Sequence, residues 1–105
     1  MRKFDLMIAG KSVAGTGRKA IRSPWNGEPV GEVAFAGPEE MELAIGTAVS
    51  AAKSAASMEK NRRIGVLKSM ADGIGTRADE LAAAICAEAG KPIRYARGEV
   101  ARARE

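Results

Sequence analysis

The pattern of hydrophobic and polar positions changes character at Gly37. Before it, short apolar runs are punctuated by glycine and proline, which predicts strands and turns. Phe4 to Ile8 reads as a strand, Ala9-Gly10-Lys11 as a turn and Ser12-Val13-Ala14 as a short return strand. Gly15 to Lys19 reads as a loop. Ala20 to Ser23 is expected to be extended, because Pro24 disfavours helix at the residue before it. Asn26-Gly27 signals a hairpin turn, with Glu28 to Phe35 as the strand that follows. Pro29 weakens the first residue of that strand and suits an edge.

After Gly37 the spacing is helical and stays so. Pro38 suits the first helical position, with Glu39 and Glu40 behind it at the positive end of the helix dipole. Met41, Ile45, Ala48 and Ala52 form one face, and the helix should fade near Ser57. A second helix is expected from about Lys60, with Ile64, Leu67, Ala71 and Ile74 in line and a weak end at Gly73 and Gly75. Thr76-Arg77-Ala78-Asp79 resembles a capping box for a third helix carrying Leu81, Ala84, Ile85 and Glu88. Gly90 suits the left-handed position that ends it, and Pro92 the first position of a fourth helix. That helix, with Val100 and Ala103 on its apolar face, still runs at Glu105 without a capping signal, as if cut rather than finished. The expected class is α+β: a β-hairpin region over 1–36, then about four helices over 37–105, with no repeat or linker.

Composition narrows the possibilities. The chain has 105 residues, one domain at most, and alanine supplies much of its 46% hydrophobic content while aromatics make up only 4%. So many small residues on helical faces suit closely packed helices, or a piece that packs against something larger. The net charge of +4 is spread along the chain, unlike the concentrated, aromatic-interleaved basic surface of a nucleic-acid domain. Arg94, Arg97, Arg102 and Arg104 do gather near the end, as a solvated or partner-facing side of the last helix. One cysteine excludes an internal disulfide and fits a reducing compartment. The opening residues are too short an apolar run for a signal peptide, and nothing approaches a membrane span. A cytoplasmic chain with no nucleic-acid or membrane partner is expected.

The local motifs carry little chemistry. Gly10-Lys11-Ser12 imitates the end of a P-loop, but Asp5 stands where its first glycine is needed. Gly15-x-Gly17-x-x-Ala20 imitates a dinucleotide fingerprint, yet Pro24 follows too soon for the helix that motif must open. Cys86 lies mid-helix without a basic partner, as a small buried hydrophobe would, and the absence of histidine removes the usual Ser/His and Cys/His arrangements. Glu39/Glu40 and Asp79/Glu80 stand at helix starts, where the dipole explains them. Glu88 is the exception: in line with Leu81, Ala84 and Ile85, it should point to the apolar side and there need a positive partner, donors or a cation.

Glu88-x-Gly90-Lys91-Pro92, with Glu99-Val100 beginning seven residues after the proline, resembles the N-terminal segment of the NAD(P)-dependent aldehyde dehydrogenase superfamily. The likeness extends to Phe4–Lys11, to Ser23-Pro24-Trp25-Asn26-Gly27-Glu28 with serine in place of the usual asparagine, to Ala44-Ile45 with Ala48, and to Arg63, Leu67, Ala71-Asp72 and Glu80-Leu81-Ala82. The phenylalanine and tryptophan common at the end of the family's first helix are missing from Ala52–Met58. The resemblance implies an incomplete N-terminal part of a cofactor-binding domain within the family's α/β fold. The complete enzyme would oxidise an aldehyde to a carboxylic acid using NAD or NADP. It implies no catalytic and no cofactor-binding residue here, because the family's catalytic cysteine, general-base glutamate and nicotinamide-binding strands come later. The chain alone should be inactive, partnered by the remainder of the dehydrogenase or by another copy of itself. One family feature does map here: a monovalent-cation site using carbonyls at Ile21 and Arg22 and the carboxylate of Glu88. The alternative is a non-catalytic helical assembly or interaction module. Apolar helical faces left uncovered in the monomer would favour the fragment.

Overall fold

The computed structural model describes residues 1–105 and resolves into two units, Met1–Arg22 with Glu28–Ser57 and Ser23–Gly27 with Met58–Glu105. The first holds five short strands and a helix: Arg2–Phe4 (β1), Leu6–Ile8 (β2), Lys11–Val13 (β3), Gly17–Arg22 (β4), Pro29–Phe35 (β5) and Pro38–Ala56 (α1). β5 is the centre of a three-stranded sheet, parallel to β1 and antiparallel to β4, while β2 and β3 form a separate hairpin. Ile8 is its one buried large side chain.

Three strand expectations are corrected. The segment from Phe4 to Ile8 is two strands in two sheets, broken at Asp5. There the carboxylate accepts a 2.9 Å hydrogen bond from the Ser12 hydroxyl and another from the Arg18 guanidinium, tying the break to β3 and β4. The expected loop over Gly15–Lys19 becomes strand from Gly17, because Gly17 pairs with Phe35, a partner eighteen residues away that no local pattern reveals. Pro29 lies in the central strand rather than an edge. It is tolerated because β1 pairs only with Gly31 to Val33, leaving the Pro29 end of β5 uncovered on that side.

The Asp5 contacts have a pH signature. The hydrogen bond from Ser12, and then that from Arg18, hold the Asp5 carboxyl below the usual carboxylate range. A carboxyl depressed by folding contributes stability above its unfolded pKa and loses it as pH falls through the folded value. Unfolding of the strand region by urea is therefore expected to become easier below about pH 4. Asp5→Asn should flatten that acid limb, and an unchanged limb would show the contacts to be energetically silent.

The turn between β2 and β3 consists of Ala9 and Gly10, both with positive φ (54° and 73°), as a two-residue turn matched to strand twist requires. α1 begins as expected: Gly37 caps it, its N–H donates to Glu40 Oε2 at 2.7 Å, Pro38 opens the helix and Ser57 closes it. No residue of α1 is buried, and Met41 and Ile45 of the predicted apolar face are each about half exposed.

The second unit is helical: Lys60–Thr76 (α2), Ala78–Ala89 (α3) and Ile93–Ala103 (α4), with the turn at Ser23–Gly27. Ala82, Ala96 and Val100 form its core, ringed by Ile74, Ala78, Leu81, Ile85 and Cys86. Alanine at the α3–α4 contact lets the two helices approach closely. α2 runs through Gly73 and Gly75 rather than failing there, and Gly75 lies against the guanidinium of Arg104. Thr76 is no cap: it is the last residue of α2, and its hydroxyl donates to the Asp72 carbonyl at 3.0 Å. Arg77 alone separates α2 from α3, donating two 2.9 Å hydrogen bonds to the Glu80 carboxylate. α4 starts one residue later than expected, with Pro92 as its cap. Ile64, Leu67 and Met70 of α2 stay half or more exposed. No helix is long and apolar enough to cross a membrane.

Candidate functional site

The corner between α3 and α4 is the most constrained part of the helical unit. Gly90 ends α3 in the left-handed conformation (φ 67°), and its N–H donates to the Cys86 carbonyl at 3.0 Å, closing the last turn. The chain then passes Lys91 and Pro92 into α4, and the Lys91 ammonium folds back to form an ion pair with Glu99 one face along. The Ser23–Gly27 turn belongs to the same unit. Gly27 N–H donates to the Ser23 carbonyl at 2.8 Å, and Trp25 N–H to the Ser23 hydroxyl at 3.3 Å. Pro24 packs so tightly on Gly90 that a Cβ there would lie 2.8 Å from the proline Cγ. Trp25 itself is 91% exposed.

Gly90→Ala combines two penalties, the left-handed φ of an L-residue and the encounter with Pro24. It is expected to lower the stability of the helical unit by about 2 kcal/mol, read as a lower melting temperature in circular dichroism. Adding Pro24→Ala should recover the steric part and leave the backbone part. No recovery would show that the proline ring moves freely aside.

Glu88 is exposed, which corrects the expectation that it points to the apolar side. The buried stripe of α3 is centred on Ala82 and flanked by Ala78, Ile85 and Cys86. Six residues on, at about 100° each, Glu88 lies about 120° around the helix from Ala82. The apolar residues Leu81 and Ala84, with which it aligns, occupy the margin of that stripe. Ile21 and Arg22 lie at the end of β4 in the strand unit, where the β4–β5 register shifts. Ile21 is half-buried and Arg22 exposed. No three His, Cys, Asp or Glu side chains come together as a metal-holding group. Cys86 is half-buried against the helical core.

The glycine motifs lie in turns and strands. Gly10-Lys11-Ser12 leaves a hairpin turn and enters β3, and Gly15 and Gly17 lead into β4. Neither opens a helix, so neither offers a pyrophosphate the N-terminal amides it needs. These residues do not fit a dinucleotide. Sequence reasoning missed the Lys91–Glu99 pair, although a lysine and a glutamate eight residues apart across a proline-capped helix start could have suggested it. Nothing local announced the Pro24–Gly90 contact.

Comparison with known proteins gives these features a context. The sequence profile of the aldehyde dehydrogenase family matches residues 12–105. The 3,6-anhydro-alpha-L-galactose dehydrogenase of Streptomyces coelicolor is 35% identical over 83 residues, which cover 79% of this chain and 17% of that protein. Among solved structures, aldehyde dehydrogenase 21 of Physcomitrella patens superposes on 96% of the chain with a TM-score of 0.92 and 31% identity, using 21% of its own length. An NAD-dependent aldehyde dehydrogenase from Sinorhizobium meliloti covers 94% of the chain with a TM-score of 0.79 and 31% identity, again over 21% of its length. The chain spans about a fifth of the length of the curated relatives it matches. Over nearly all of its residues, in sequence and in fold, the chain belongs to the aldehyde dehydrogenase family.

Proposed function

We propose that these residues are the N-terminal part of the cofactor-binding domain of an NAD(P)-dependent aldehyde dehydrogenase, an enzyme that in complete form oxidises an aldehyde to a carboxylic acid. Their part in it is to supply packed surface rather than reacting groups. The observation that carries this reading is the uncovered apolar surface. α1 and α2 bury no residue at all, while Met41, Ile45, Val49, Ile64, Leu67 and Met70 are half or more exposed. Helices with apolar stripes gain their stability by burying them, and monomers seldom leave so many large side chains in water. Similar proteins support the reaction class: one is named as NAD-dependent, and another was solved with succinate, a carboxylic acid, as its reaction product.

The 105-residue chain alone is expected to bind an apolar dye such as anilinonaphthalene sulfonate strongly and to show no turnover of any aldehyde with NAD+ or NADP+. Reading the coding DNA past Glu105 supplies the decisive companion result. An open frame with a cofactor-binding domain and a catalytic-cysteine motif supports the proposal. A dye-silent, cooperatively folded, monodisperse chain with no such frame would establish the helical-module alternative instead.

The proposal carries with it a partial monovalent-cation site at Ile21, Arg22 and Glu88, which rests on resemblance alone. Sodium NMR line broadening by the complete enzyme, lost in Glu88→Gln, tests it. Broadening that survives the substitution would remove Glu88 from the set.

A further inference from the structure

We draw no further inference here: the strongest candidate, the uncovered apolar stripes of α1 (Met41, Ile45, Val49) and α2 (Ile64, Leu67, Met70), is the surface on which the proposed function already rests, and nothing in the structure shows what covers it.

Discussion

Replacing Gly15 by alanine is expected to destabilise the strand unit by about 3–4 kcal/mol, among the most damaging single-methyl additions available to it. Gly15 has a φ of 74°, which costs an L-residue about 1–2 kcal/mol. The larger part is steric: a Cβ at this position would lie 2.3 Å from the Phe35 carbonyl oxygen and 3.2 Å from Leu6 Cδ1. The carbonyl cannot turn away cheaply, because it accepts the Thr16 N–H at 3.0 Å at the very end of the β4–β5 pairing. Gly10→Ala is the matched control. Its φ is nearly the same, 73°, but a Cβ there would meet nothing within 4 Å, so it should show the backbone cost alone. Amide hydrogen exchange of β5 in the two variants measures the difference. Equal protection would mean that the Gly15–Phe35 approach is slack, and the strand register would need another explanation.

That same glycine shows where sequence reading stops. Gly15-x-Gly17-x-x-Ala20 could be rejected as a cofactor fingerprint from Pro24 alone. The positive use of Gly15, admitting a carbonyl twenty residues away, required the fold. The helices were legible because each carries its own signals: Pro38 with two glutamates at a start, and Gly90 in the left-handed conformation at an end. The strands were not, because β1 and β4 are defined by their pairing with β5, and a three-residue strand such as Arg2–Phe4 carries no periodicity to read. Glu88 failed for a subtler reason. The right helix was identified and Leu81 and Ile85 do border its buried stripe, but the stripe is centred on the inconspicuous Ala82, and Glu88 lies about 120° around the helix from that centre. At the corner, the Glu-x-Gly-Lys-Pro spacing pointed to the family without disclosing what holds the corner together, namely Pro24 against Gly90 and Lys91 with Glu99.

The alanine contact also sets the second large expectation. Ala82 and Ala96 are both 0% exposed and, with Val100 at 5%, are the whole buried core of the helical unit. Ala96→Leu would add three carbons where there is no accessible space. Either the leucine takes a strained rotamer or α4 lifts from α3 and exposes Val100, and either route is expected to cost about 3 kcal/mol. In a unit this small that corresponds to a fall of roughly 10–20 °C in melting temperature. Ala83→Leu, on the same pair of helices but solvent-exposed, adds the same atoms and should change little. Comparable melting of the two variants would show that α3 and α4 are not held by this contact. A large loss confined to Ala96→Leu would establish that small side chains at one helix crossing keep this unit folded, although larger apolar residues on α2 stay half or more exposed.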